Sequence, residues 1–192
     1  MHVFLCDFLL DIAQNSLEAG STMVRITIAE TQDRIGFVIQ DNGKGMSAEV
    51  QKRVTDPFYT DGIKHSRRKV GLGLPFVKQT SCAFSLESEE GRGTKVSFEF
   101  DLTDIDVPPL GNLPSTLLAV FSGAPEGCDV AVDRSLDTPA GSDAYQVSRS
   151  DLIDALLELK TAGSLNLARQ YLEGLEEGLD GIRTEHELRL AR

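Results

Sequence analysis

The stretch Asp41-Asn42-Gly43-Lys44-Gly45-Met46 decides the fold that we predict for this chain. It follows an alternating apolar segment, residues 35–40, which predicts a strand. Gly43 and Gly45 have no Cβ, so the backbone there can turn sharply and approach a flat ligand closely. Asp41, at the end of the strand, can accept a hydrogen bond from an exocyclic amine such as that of adenine. Because Asn-Gly between strands is also a strong hairpin signal, a type I′ turn is the alternative.

A second signal lies upstream, where residues 9–20 predict a short amphipathic helix that ends at Gly20. Asp11 and Asn15 are four residues apart and therefore share one face of this helix. An acid and an amide among apolar neighbours are costly to bury unless they meet a ligand. Asp11 is a candidate general base, and the amide oxygen of Asn15 suits a hard cation such as Mg²⁺. The alternative for Asp11 is a carboxylate on the helix surface.

A third signal lies downstream, where Val70-Gly71-Leu72-Gly73-Leu74-Pro75 predicts a glycine turn that opens a helix, with a proline near its first turn. Such a helix N-terminus presents free N–H groups to a phosphate. Residues 90–94, which end in Gly93-Thr94, then precede an alternating strand at residues 95–100.

Five segments in this order resemble the GHKL ATPases, the superfamily of gyrase, Hsp90, histidine kinases and MutL. In chain order they resemble the N box (11–15), the first glycine box (41–45), the kinase F box (56–60), the second glycine box (71–74) and the closing Gly93-Thr94. The resemblance covers about the first hundred residues and is nearest to the ATP-binding domain of sensor histidine kinases. It implies ATP and Mg²⁺ as ligands. It also implies the Bergerat fold, an α/β two-layer sandwich with a mixed sheet and helices on one face.

The segment between the F box and the second glycine box is the expected lid. Residues 64–69 carry five basic side chains if His65 is counted, a dense positive run in an acidic protein. Lys64 and Arg68 are the candidates for contact with the γ-phosphate, and a solvated loop is the alternative. With Asp11 as the base and Asn15 also as the Mg²⁺ ligand, the implied nucleotide site comprises Asn15, Asp41, Gly43, Gly45, Lys64, Arg68, Gly71, Leu72, Gly73, Leu74 and Thr94.

Two features depart from a complete sensor kinase. The family usually has Glu four residues before the N-box Asn, and the shorter Asp11 predicts slow hydrolysis. The first predicted helix begins almost at Met1, so we expect a stand-alone form without a dimerisation and phosphoacceptor domain. Glu185-His186-Glu187-Leu188 resembles a phosphoacceptor box, but a chance tetrapeptide on a charged helix is the favoured interpretation of His186.

Charge is distributed unevenly along the chain. Residues 1–100 hold 13 acidic and 12 basic side chains, whereas residues 101–192 hold 17 acidic and 7 basic ones, which gives net charges of −1 and −10. An acidic tail argues against a nucleic-acid partner. The sequence has 3 cysteines without close spacing, which predicts reduced thiols and a cytoplasmic protein. The apolar start is too short and too acidic for a signal peptide or a membrane insertion.

The chain is expected to divide into an ATP-binding domain (1–103), a proline-rich linker (104–114) and an acidic α+β tail (115–192). In the tail, residues 129–132 and 144–147 predict strands, residues 150–160 a helix, and residues 164–190 a long final helix. Apolar residues in the final helix follow a coiled-coil-like spacing. Both packing onto the domain and a homodimer through this helix are open.

The function expected from these observations is Mg²⁺-dependent ATP binding with slow hydrolysis or phosphoryl transfer in cytoplasmic signalling. A non-catalytic, nucleotide-gated protein-binding module is the alternative, and a serine kinase of the anti-sigma type is a third candidate. The chain also loosely resembles small ATP-binding proteins encoded beside iron-only hydrogenase and NADH-oxidising subunits. The expected protein partner is therefore a signalling or redox-enzyme component.

Overall fold

A computed structural model of the chain describes residues 4–54 and 73–182. Within these ranges the strands are β1 (Met23–Thr31), β2 (Arg34–Asp41), β3 (Ala83–Glu89), β4 (Gly93–Asp101), β5 (Asp129–Thr138) and β6 (Gly141–Ser148). The helices are α1 (Leu5–Glu18), α2 (Ala48–Arg53), α3 (Gly73–Thr80), α4 (Leu113–Gly123), α5 (Arg149–Leu156) and α6 (Ala162–Asp180). The helix predicted upstream of the first glycine box and the strands predicted at residues 35–40 and 95–100 are confirmed as α1, β2 and β4.

The strands form one mixed sheet in the order β3-β4-β2-β1-β5-β6. Its neighbouring strands are antiparallel except for β1 and β5, which run parallel with Met23 opposite Asp129 and Thr31 opposite Asp137. Strands from both sides of the proline-rich segment therefore belong to one sheet. The strands predicted in the tail, β5 and β6, extend the sheet formed by the first hundred residues. The division of the chain into a domain and a tail stays a prediction.

One face of the sheet carries the core. Strand residues alternate in burial, and the inward side chains of the central strands are at most 1% exposed: Val24, Ile26, Ile28, Ile35, Phe37, Ile39, Val130 and Val132. Helices α1 and α4 join this cluster through buried leucines and phenylalanines, and α6 packs against α4. This arrangement confirms an α/β sandwich with a mixed sheet and helices on one face.

Helix α1 shows how the sequence produces this packing. Leu5, Phe8, Leu9 and Ile12 recur at helical spacing and are at most 2% exposed. The same spacing predicts that Phe4 faces the sheet, but this is wrong: Phe4 is the N-cap residue and is 38% exposed. The proline-rich segment satisfies the first amides of the helix, because Leu5 N and Cys6 N donate to the carbonyls of Pro109 and Leu110 at 3.0 Å.

The end of the chain packs onto the same core. In α6, Ala168, Leu172 and Leu179 are at most 1% exposed. The apolar seam is therefore covered within the chain over the described residues, as expected from the packing alternative, and the homodimer stays a prediction. His186 lies outside the described residues. The helix predicted for residues 150–160 ends early, at Leu156, because Leu157 adopts a left-handed φ of 69°.

A buried ionic group ties α6 to the sheet. The Arg134 side chain on β5 is fully buried and pairs with Glu30 on β1. Its Nε lies 3.4 Å from a carboxylate oxygen of Glu176 on α6, which also accepts a 2.7 Å hydrogen bond from the Tyr145 hydroxyl. Arg134 on β5 therefore connects β1 and α6. This fixes the relative register of the three elements, since each buried charge needs its partners in place.

Candidate functional site

The candidate site lies where the end of β2 meets the second half of α1. Asp41 is 7% exposed, and both of its carboxylate oxygens are held: Oδ2 accepts from the Ser16 hydroxyl at 2.8 Å and Oδ1 from the Gly43 amide at 2.9 Å. These two donors fix the orientation of the carboxylate, as a recognition group requires. Ser16 is a residue that the sequence reasoning missed, although it directly follows the N-box Asn15.

The hairpin interpretation of Asn42-Gly43 is wrong. Strand β2 pairs with β1 and β4, and the segment after Asp41 leads to α2 instead of an adjacent strand. Asn42 has a different role: its side-chain oxygen accepts from the amides of Thr22 and Met23 at 2.9 and 3.0 Å. This side chain pins the glycine box to the start of β1, so the loop cannot swing away from α1.

The three glycines around Asp41 are required by close packing. A Cβ on Gly43 would lie 2.7 Å from the Ser21 hydroxyl oxygen and 2.8 Å from Ala19 Cβ. Gly45 has a φ of +62°, and a Cβ there would overlap the carbonyl of Glu89. Gly93 has a φ of +111°, and a Cβ there would overlap the carbonyl of Asp41 itself. The two glycine-containing segments, far apart in sequence, therefore pack against each other at the end of β2.

A network of hydrogen-bonded hydroxyl groups lies beside Asp41 at the end of β2. Thr94 lies opposite Asp41 in the β2–β4 ladder, and its hydroxyl is 2.8 Å from that of Ser88. The Ser88 hydroxyl donates to the Gly93 carbonyl and accepts from the Met46 amide, at 3.0 and 2.9 Å. Ser88 thus joins the first glycine box to the closing Gly93-Thr94. Sequence reasoning missed it as well, since a serine in a polar strand carries no distinguishing pattern.

Helix α1 supplies the acid and the amide predicted on one face. Asp11 is partly buried, Asn15 is exposed, and one turn separates them. A Cβ on Gly73, the first residue of α3, would lie 3.2 Å from Asp11 Cβ, so Gly73 of the second glycine box lies directly against this acid. Leu74 is partly buried and packs on the core. The predicted residues Lys64, Arg68, Gly71 and Leu72 and the F box lie outside the described residues.

The donors fit a nucleotide with a hard cation. Gly43, Gly45 and Gly93, the glycine cradle, let backbone segments pack directly on one another around Asp41. Asp41 presents a fixed acceptor, and the amide oxygen of Asn15 is exposed on the same helix face as Asp11. In residues 4–54 and 73–182 no cluster of three His, Cys, Asp or Glu side chains could hold a metal alone. Mg²⁺ needs none, because it keeps several waters and binds through one or two protein oxygens together with phosphates.

Comparison with known proteins gives the family. The sequence profile of the histidine kinase-, DNA gyrase B- and HSP90-like ATPases matches residues 2–104. The chain belongs to this ATPase family. Within it, the nucleotide implied for the site is ATP, and the predicted GHKL recognition is confirmed. The matched range contains every predicted site residue.

The similar curated proteins include sensor proteins and sensor histidine kinases. A putative sensor protein of Shewanella frigidimarina is 30% identical over 105 residues, which cover 51% of this chain and 16% of that protein. A putative NtrY-like sensor histidine kinase of Rickettsia conorii is 29% identical over 118 residues, 54% of this chain and 19% of its own length. The chain therefore spans under a fifth of the length of these relatives.

A solved structure resembles the fold over a longer range. The N-terminal domain of a DNA repair protein superimposes with a TM-score of 0.54 at 14% identity, covering 85% of this chain and 59% of that one. At this identity the likeness concerns the fold alone. No helix in the described part of this chain is both long enough and apolar enough to cross a membrane.

Proposed function

We propose that the chain binds ATP with Mg²⁺ and uses it for slow hydrolysis or phosphoryl transfer in cytoplasmic signalling. The observation that supports this most is the Asp41 carboxylate, buried and held by Ser16 and Gly43 in a cradle of three glycines. A fixed, buried acceptor next to backbone that tolerates no side chain suits the exocyclic amine of a flat base. Guanine presents a carbonyl at the corresponding position, so the same carboxylate would disfavour it.

In this mechanism Asp11 accepts the proton of the attacking water or hydroxyl, and Asn15 holds the cation. The cation neutralises charge on the phosphates, which is most of what phosphoryl transfer requires. Helix α3 begins at Gly73, against the same acid, and its first amides would orient a phosphate near it. Lys64 and Arg68 stay the proposed γ-phosphate contacts, with Gly71 and Leu72 beside them. We expect the loop of residues 61–69 to close over ATP more than over ADP.

The test of adenine recognition is Asp41→Asn. Loss of a charge-assisted hydrogen bond of about 1.5–3 kcal/mol should raise the dissociation constant for ATP about ten- to a hundredfold. Calorimetry with MgATP and MgGTP measures both affinity and selectivity. Asp33→Asn, an exposed acid in the β1–β2 turn, is the matched control. Equal ATP affinity in Asp41→Asn and the wild type would contradict the assignment.

Two substitutions on α1 separate chemistry from binding. Asp11→Asn should keep ATP affinity within a few-fold and abolish turnover, because an amide cannot accept the proton. Asn15→Ala should lose the part of the affinity that depends on Mg²⁺, measured by titrating ATP with and without the cation. If Asn15→Ala responds to Mg²⁺ as the wild type does, Asn15 is not the ligand.

A nucleotide-gated binding module without turnover is the second candidate. It is favoured by the short side chain of Asp11, which reaches one methylene less far than the Glu usual in the family. Phosphate release measured with and without the partner distinguishes the two. Absence of turnover in both conditions, together with retained ATP binding, would make gating the function.

A further inference from the structure

A cavity lies on the side of the molecule where α1 begins, apart from the glycine cradle. It has a volume of about 680 Å³ and is bounded by the start of α1, the segment before α4, the first turns of α4 and the last turns of α6. Pockets between about 300 and 1,000 Å³ are typical of binding sites. None of the residues of the glycine cradle, nor Asp11 or Asn15, lines this cavity.

The described lining of the cavity is partly apolar and partly acidic. The apolar residues in it are Phe4, Leu10, Leu110, Leu113, Pro114 and Ala119. The acidic residues are Asp7 and, on α6, Glu173, Glu176, Glu177 and Asp180, and within residues 4–54 and 73–182 no Lys, Arg or His lines the cavity. Glu176 is 8% exposed and lies beside Arg134 and Tyr145, so its charge is compensated from inside the protein.

The acids on α6 lie where a helix tolerates them least. Glu173 and Glu177 are one turn apart on one face, and like charges at this spacing repel each other. Glu177 is in the last turn of α6, where the helix dipole disfavours negative charge, and this turn contains no basic residue. Folding alone does not favour this arrangement, whereas a cationic occupant of the cavity would stabilise it.

The exposed apolar groups provide an anchor beside these charges. Phe4 is 38% exposed at the cavity, and its position is fixed because Gly111, with a φ of +87°, brings the backbone so near that a Cβ would lie 2.7 Å from Phe4 Cβ. Interfaces draw most of their affinity from aromatic and arginine contacts in such partly enclosed pockets. Cation–π attraction to the Phe4 ring would add to the charge pairing.

We propose that this cavity docks a segment of a partner protein that carries an arginine or lysine beside a bulky apolar residue. The net charge of −10 on residues 101–192 extends the same preference beyond the cavity and would steer a basic partner towards it. A second copy of this chain is disfavoured as the occupant, since it would bring acid against acid.

The experiment uses the full chain without nucleotide, so that its result is independent of the proposed ATPase function. The probe is a fluorescein-labelled octapeptide of alternating arginine and leucine, and binding is followed by fluorescence anisotropy at two salt concentrations. Peptides with glutamate in place of arginine, or serine in place of leucine, test the charge and the anchor separately. We expect binding of the first peptide only, weakened by salt.

Variants of the chain locate the binding. Glu173→Gln with Glu177→Gln should weaken binding by at least about fivefold, from two partly exposed charge pairs. Ser115→Phe should block the cavity, and circular dichroism checks that this variant folds. Glu126→Gln, an exposed acid beyond the other end of α4, is the matched control and should bind as the wild type does.

Five outcomes would overturn the proposal. Two are failure of the probe to bind the wild type and binding of both cavity variants as tightly as the control. Spermine that binds the same site as tightly as the peptide would make a small cation the occupant. A dimer, seen by sedimentation, that dissociates in Glu177→Gln would make a second copy of the chain the occupant. Binding that requires prior removal of residues 183–192 would identify the chain's own C-terminal segment as the occupant.

Discussion

The first and second halves of this sheet hold together by different means. Around the nucleotide site, backbone segments approach so closely that Gly45 and Gly93 admit no side chain. In the second half, the α6 glycines are free of such contacts: a Cβ on Gly174 or Gly178 would meet nothing within 4 Å. There the specific connection is a buried charge group, in which Arg134 pairs with Glu30 and lies beside Glu176. Close backbone packing constrains the first half, whereas buried side chains connect α6 to the sheet in the second.

Among the substitutions that test this comparison, removal of the buried Arg134 guanidinium should lower the stability of the chain most. Arg134→Ala leaves two buried carboxylates without their partner and should lower the free energy of unfolding by about 3–5 kcal/mol, measured by urea denaturation. Arg25→Ala is the control, since Arg25 pairs with Asp133 on the same strand as Arg134 but is 57% exposed, and should cost about 1 kcal/mol or less. Equal losses would mean that the buried group does not secure α6.

A methyl group in the glycine cradle should have the next largest effect. Gly93→Ala combines a φ of +111° with overlap of the Asp41 carbonyl and should cost about 2–4 kcal/mol. Gly91→Ala, in the same turn, has a φ of +79° but nothing within 4 Å of its Cβ, and should cost only the strain of about 1–2 kcal/mol. A pair of equal values from urea denaturation would show that close approach is not the constraint.

Cys6 is a buried residue of α1, the helix of the first half that packs against α4 of the second. Burial raises the pKa of Cys6 from 9.0 to about 12, with smaller contributions that include the charges of Asp7 and Glu176. Because the thiolate forms more readily in the unfolded chain, this stability is fully present below pH 9 and is lost as the pH rises towards 12. The loss is up to about 1.4 kcal/mol per pH unit.

The measurement for Cys6 is the slope of unfolding free energy against pH in the wild type and in Cys6→Ala. The variant should lack this component of the slope, whatever constant offset its smaller side chain introduces. Cys82→Ala is the control, because Cys82 is exposed and should leave the slope as it is in the wild type. If the slope is the same in all three proteins, the environment of Cys6 does not differ between the folded and unfolded states.

The smallest expected effect is an increase in stability. Gly174→Ala fills open space on α6 and removes a helix-interior glycine, so it should stabilise the chain by about 0.5–1 kcal/mol. Thermal unfolding of this variant, beside Gly178→Ala as a replicate in the same helix, measures it. A loss of stability in both would mean that something packs against these glycines after all.

The sequence predicted the nucleotide half because its chemistry restricts residue types. Only glycine fits the close backbone packing at positions 45 and 93. An acid must end β2 if an amine is to be recognised there. Ser16 and Ser88 escaped notice because their roles depend on contacts across 25 and 42 residues of sequence, with Asp41 and Met46 respectively. Polar residues in such positions have no periodic signature, and only the fold brings their partners to them.

The second half was predicted less completely for a related reason. Local patterns indicated β5, β6 and α6, but no local pattern indicates that β5 pairs in parallel with a strand near the start of the chain. Arg134 illustrates the same limit: a lone arginine in an alternating strand predicts a solvated side chain, yet its partners lie on β1 and α6. Apolar periodicity did identify the inward face of α6, since its apolar residues Ala168, Leu172 and Leu179 are buried.

The parallel pairing of β1 with β5 has a consequence for synthesis of the chain. Met23 pairs opposite Asp129, a separation of 106 residues, so at about 5–20 residues per second the ribosome needs about 5–20 seconds to supply the partner of β1. Until then β1 is an edge strand with open hydrogen-bonding groups, a template for aggregation that a chaperone would have to shield. A strand central to the finished sheet is thus the most vulnerable one on the nascent chain. Hydrogen exchange at the β1 amides that bond to β5, in chains ending at residue 128 and at residue 182, would reveal this. Protection of these amides in the longer chain alone is expected, and equal protection would refute it.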